Sequence, residues 1–127
     1  MKPKTIKIFY WTTTILFSLF FLMDGVMGMI RIEQGKEIMI HLGYPVYVMT
    51  ILGVAKFTGA LAILQGRFKT LKEWAYAGFT FHFIGASASR AFASDSLGLI
   101  ISPLIFMALM FLSYFLWKKV EQAKAAV

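Results

Sequence analysis

Cysteine is missing from the chain, which excludes thiol–disulfide chemistry, cysteine-ligated zinc and iron–sulfur clusters. Any redox role therefore needs a bound organic cofactor. Histidine is almost as scarce, with only His41 and His82. Haem held by two histidines needs them at matching depth, and one of these falls in a connection, so neither haem nor zinc is expected. Charge is thin: 15% of the 127 residues carry one, and only 6 are acidic. No nucleophile–base arrangement, phosphate loop or metal cluster stands out, so a catalytic activity of the chain's own is not expected.

What fills the sequence instead is apolar. Hydrophobic residues make up 59% of it and the mean hydropathy is +0.73, outside the range of a soluble domain. Apolar runs cover about 8–30, 45–64, 74–92 and 97–117. At about 1.5 Å per residue, a helix of some 20 residues crosses a hydrocarbon core of about 30 Å. The predicted fold is all-α, an integral membrane four-helix transmembrane bundle forming one domain over 1–127. The first run follows Lys2, Lys4 and Lys7 as a signal sequence would, but it is longer than a cleavable apolar region and lacks an A-x-A exit. It is expected to stay as the first span.

The connections carry their own signals. Residues 31–43 hold Arg31, Glu33, Lys36, Glu37 and His41, with Ile38, Met39 and Leu42 as one apolar edge of a short interfacial helix. Pro45 suits the first turn of the second span. Residues 65–73 form a basic turn, Ser94-Asp95-Ser96 is placed to cap the fourth helix, and Pro103 is expected to tilt that helix's first turn.

The net charge of +7 raises the question of nucleic acid. The basic residues, however, lie between apolar runs and not along an exposed face with interleaved aromatics, so no nucleic-acid partner is expected. They read as topology signals and contacts to membrane lipids. Lys2, Lys4, Lys7, Arg67, Lys69, Lys72, Lys118, Lys119 and Lys124 fall on one side; Arg31, Lys36 and Arg90 fall on the other. That imbalance places both termini in the cytoplasm (N-in/C-in) of a multi-pass inner-membrane protein. Trp11, Trp74 and Trp117 fall at the same predicted face, as interfacial tryptophans do.

Lys56 stands in the middle of the second run, where a charge costs at least about 2.5 kcal/mol. With the topology set, it lies about 16 Å below the outer edge, His82 about 15 Å and Asp24 about 9 Å, with Arg90 nearer the surface. An Asp24–Lys56 pair is within reach of the lysine stem. Gly78, His82, Gly85 and Ser89 share one stripe, and Gly53, Lys56 and Ala60 another. Small residues there allow close helix approach or leave room for a ligand. The plainer reading is that Asp24 and Lys56 form a structural ion pair and that His82 bonds a backbone carbonyl.

Three stretches carry a resemblance: His41-Leu42-Gly43-Tyr44-Pro45, then Gly53-Val54-Ala55-Lys56-Phe57-Thr58-Gly59, then Lys72-Glu73-Trp74-Ala75-Tyr76-Ala77-Gly78-Phe79. In order and spacing they resemble the DoxX-like family of small bacterial membrane proteins. The resemblance implies a four-helix membrane protein and marks Lys56, in GxxKxxG, as a site residue. It also implies a link to quinone-dependent redox subunits and oxidative-stress responses, most members having no assigned activity. Asp24, His82 and Arg90 depart from the usual pattern and rearrange the charge around one cavity.

The expected function is binding of a small lipophilic, quinone-like molecule as a redox- or stress-linked membrane subunit. Its pocket is expected to be polar and outward-facing, lined by Asp24, Lys56, His82 and Arg90, with Ser89 on the same stripe and Tyr44 or Phe83 packing the ligand. The chain is expected to act as a homo-oligomer or within a membrane redox complex. Two alternatives stand beside this: a small proton-coupled transporter or exporter using Asp24 and Lys56, and a structural assembly partner without a ligand.

Overall fold

The computed structural model describes residues 2–125, and these form five helices with no strand among them: α1 Pro3–Met29, α2 Glu33–Leu42, α3 Val48–Leu64, α4 Lys69–Phe92 and α5 Leu97–Ala125. Two of them, α1 and α5, are long and apolar enough to cross a membrane. With 17 residues, α3 is apolar but shorter, covering about 26 Å. Helix α4 has the length, but Lys69, Lys72, Glu73 and Arg90 sit in its end turns.

Residues Tyr10, Thr14, Phe17, Phe21 and Gly25 are buried along α1, spaced by three and four as a helical face requires. Ile8, Leu16, Leu19 and Met23 point outward on the other faces. The core is aromatic: Phe17, Phe21, Phe79, Phe83 and Phe106 form one cluster, with edge-on contacts such as Phe17–Phe79 at 5.3 Å and stacked ones such as Phe79–Phe83 at 5.9 Å. Such geometry aligns ring edges with ring faces and adds specificity to dispersion. In lipid, where apolar side chains gain little from mutual burial, close packing is what holds helices together.

The tightest seam is α1 on α3. A Cβ placed on Gly53 would lie 2.6 Å from the Gly25 carbonyl oxygen, and one on Gly28 would lie 2.9 Å from that of Met49. The backbones touch here, which only glycine permits. Helix α5 packs on both α1 and α4, and α3 meets α4 more loosely. That loose seam is where a cavity forms.

Three helices at one end, α1, α2 and α4, close in the same way, with a left-handed residue followed by two reversed hydrogen bonds. Arg31 (φ 53°), Gly43 (φ 85°) and Ser94 (φ 58°) take that position. Asp95 N–H reaches back to Arg90 and Tyr44 N–H to Met39. The short helix expected from Ile38, Met39 and Leu42 is α2. Pro45 does not begin α3; it lies in the turn before it, where its carbonyl accepts from Val48 N–H. The basic turn is also shorter than expected, since α4 already starts at Lys69. Gln65 shortens it: its amide donates to Ala62 and Phe68 carbonyls, and its oxygen accepts from Phe68 N–H at 2.7 Å.

Candidate functional site

Lys56 points from α3 to Asp24 on α1, with its ammonium 2.7 Å from the carboxylate. Gly25 sits next to Asp24 and Gly53 one turn before Lys56, so the contact that brings the backbones together also sets this pair. The lysine side chain is 20% exposed and the aspartate 32%. The pair is neutral overall and still accessible to a ligand or a proton.

Beside Lys56, the α3–α4 seam opens into a cavity of about 880 Å3. Lys56 and His82 stand at one end of it, and Gln65 and Trp74 at the other, with Gly59, Gly78 and Phe79 along its length. Its wall is overwhelmingly apolar. A pocket of this size, apolar with a few polar groups, matches the usual form of a small-molecule site. A Cβ on Gly78 would meet nothing within 4 Å, so this glycine leaves space and does not serve packing. The histidine ring makes no hydrogen bond to a backbone carbonyl among the described residues. Its nitrogens remain available to whatever enters.

The expected pocket differs from this one in place and in lining. Of its residues, Lys56 and His82 line the cavity, and Asp24 reaches it only through Lys56. Tyr44, Ser89 and Arg90 lie at the α2 end, outside it. There the Tyr44 hydroxyl and Ser89 hydroxyl share a hydrogen bond of 2.6 Å, and Arg90 Nη1 donates to Asp95 at 3.0 Å. His41 meets the second oxygen of Asp95 at 2.5 Å. These groups satisfy one another and do not turn towards the cavity. Asp95, expected to cap α5, spends its carboxylate on His41 and Arg90 instead; their hydrogen bonds hold it below the usual carboxylate range. Phe83 is also displaced from the expected role: it is 2% exposed within the core, and Phe79 is the ring that walls the cavity.

The cavity runs away from the Tyr44–Arg90 end, towards the α3–α4 turn. The first part of α1 and the last part of α5 lie at that turn: Lys72 in α4 bonds Tyr10 in α1, and Lys69 meets Glu121 in α5 at 2.6 Å. Sequence reasoning missed a buried polar group on this side. Thr14 and Tyr76 both hydrogen-bond the Ser113 hydroxyl, at 2.6 and 2.7 Å. The only hint was three hydroxyls within apolar runs, and their 99-residue separation hid the pairing. Among the described residues no three His, Asp or Glu side chains come close enough to hold a metal ion.

Comparison with known proteins agrees with the motifs. The model of the DoxX-like family matches residues 12–113, which include every site residue described above except Tyr10 and Glu121. No curated protein and no solved structure matches the chain.

Proposed function

This chain belongs to the DoxX-like family, and from that premise we propose that it is a membrane subunit that takes up a small lipophilic molecule between α3 and α4. The single observation that carries the reading is the apolar cavity of about 880 Å3 with Lys56 and His82 together at one end. A quinone fits this pattern by chemistry. Its ring carbonyl accepts from the Lys56 ammonium or from His82, its ring packs on Phe79, and its tail follows Leu61 and Leu71 along the seam. Asp24 acts as a positioning residue that holds Lys56 in place. Within this proposal the chain is a four-span bundle with both termini cytoplasmic in an inner membrane, working in a redox- or stress-linked assembly or as a homo-oligomer. The cavity then opens in the cytoplasmic half of the bilayer.

The test is photolabelling in nanodiscs with a photoreactive benzoquinone bearing an isoprenoid tail. The expected result is labelling within residues 52–65 and 71–82, competed by the unlabelled quinone and reduced at least about tenfold by Lys56→Met, the loss of one charge-assisted hydrogen bond. Labelling spread evenly over the lipid-facing helices, unaffected by that variant, removes the quinone reading.

A second reading draws on the Asp24–Lys56 contact itself. A partly exposed ion pair between two membrane helices can serve proton exchange, and a proton-coupled transporter would use it. This reading expects pH-driven substrate flux in proteoliposomes that Asp24→Asn abolishes. Where neither binding nor flux is found, the ion pair is a register lock in an assembly partner.

A further inference from the structure

A second cavity, of about 220 Å3, lies at the end of the molecule where α1 begins and α5 finishes. Four lysines, Lys7, Lys69, Lys72 and Lys124, face one glutamate, Glu121, around it. Lys72 is the unusual member, because it is only 2% exposed. It donates to the Tyr10 hydroxyl and lies 4.9 and 5.0 Å from the ring centroids of Tyr10 and Trp117. No carboxylate pairs with it among the described residues, and Glu121 is already taken by Lys69 at 2.6 Å and Lys124 at 3.6 Å. An ammonium has three donors, and a buried charge is normally paired. Here a hydroxyl and two ring faces leave both requirements partly open, next to empty space.

A shallow apolar depression of about 540 Å3 adjoins this cavity along α1, walled by Lys4, Ile8, Thr12, Ile15 and Leu16. The two spaces share Lys7 and Trp11. A cation-lined chamber that continues into an apolar trough on a helix apolar enough to cross a membrane has the shape of an amphiphile. The chamber is smaller than the roughly 300–1,000 Å3 of a whole-ligand pocket, and so suits a headgroup.

We propose that the two spaces hold one anionic phospholipid, with its phosphate among Lys7, Lys72 and Lys124 and an acyl chain along α1 from Ile8 to Leu16. Basic pockets between membrane helices recognise phospholipid headgroups by charge-assisted hydrogen bonds to phosphate oxygens. The site is separate from the α3–α4 cavity and does not depend on the quinone reading.

The full chain, purified into nanodiscs of equal phosphatidylglycerol and phosphatidylcholine, is examined by native mass spectrometry for retained lipid. The expected result is retention of phosphatidylglycerol over phosphatidylcholine. Lys72→Met and Lys7→Gln each lower that preference about fivefold, the factor for one lysine beside an anionic headgroup. Lys119→Gln, exposed and outside both spaces, leaves it unchanged. Lys7 is exposed, so Lys7→Gln decides the matter if Lys72→Met fails to fold. Equal retention of the two lipids overturns the proposal, as does an equal loss in Lys7→Gln and Lys119→Gln. In a parallel thermal melt in detergent, phosphatidylglycerol is expected to raise Tm where the same concentration of inorganic phosphate does not. An equal rise with phosphate overturns the lipid assignment in favour of a free-anion site.

Discussion

Glycines that look alike in the sequence do opposite work in the molecule. Gly53 lets α3 touch α1, since an added Cβ would fall 2.6 Å from a carbonyl oxygen, while Gly85 borders open space. Gly53→Ala is expected to lower stability in detergent by about 1–3 kcal/mol, because two backbones must part. Gly85→Ala is expected to be neutral or stabilising by up to about 1 kcal/mol through helix propensity. A thermal or denaturant titration that ranks them the other way would refute this assignment. The buried hydroxyls split similarly. Ser113 serves two partners, whereas Ser18 is fully buried and its oxygen has no partner among the described residues. Ser113→Ala should cost about 1–3 kcal/mol and Ser18→Ala should cost nothing, by the same titration. The Asp24–Lys56 pair was legible in the sequence, because a charge at mid-span demands a partner and depth limits the choice. Lys72 was not: its position among turn-flanking basic residues resembles an exposed topology signal, and only the fold brings Tyr10 and Trp117 over it.

Helix α2 is the element most loosely joined to the others. It has no buried residue, and one of its ties to the rest is His41 on Asp95, which Arg90 also holds. Asp95 has a depressed carboxyl pKa when folded, so the stabilisation it provides is present above the unfolded value and is lost as pH falls through the folded one. Amide exchange in residues 33–42 is therefore expected to accelerate as pH drops below the ordinary carboxylate range, after correction for intrinsic rates, and His41→Ala should give much of that acceleration at neutral pH. Unchanged protection in His41→Ala would show that α2 is held by its apolar edge alone. At this scale the apolar runs located the inner part of each long helix, but the helices continue past them into charged turns: α1 starts at Pro3 and not at 8, α4 at Lys69 and not at 74, and α5 runs to Ala125 and not to 117. The ends of α1 and α4 were placed well, but their left-handed caps were not read, because Arg31 and Ser94 fill them and not glycine. Glycine is the usual signal for a left-handed cap.

At the scale of the whole molecule, membrane character and family were legible because composition and three spaced motifs both survive without knowledge of packing. Where the cavity opens was not legible. Helical stripes place Ser89, His82 and Gly78 on one face, but which neighbour stands close to each part depends on helix crossing. The α1–α3 glycine contact closes one side of the molecule and leaves the α3–α4 seam loose. Because the chain lacks cysteine, single cysteines introduced at exposed Lys119 and Glu37 report orientation without background. In intact bacterial cells an impermeant maleimide is expected to label the second site and spare the first; the reverse labelling would overturn the cytoplasmic placement of the termini.

The measurement that bears most directly on the central claim is mass spectrometry of the organic extract from gently purified protein, comparing wild type, Lys56→Met and Gly78→Leu. Gly78→Leu fills the cavity from a position with open space around it, so the fold is retained while the ligand is displaced. The account predicts a defined lipophile, of quinone type, in wild type that falls at least about tenfold in both variants. An extract holding ordinary phospholipid alone, identical in all three proteins, would contradict it.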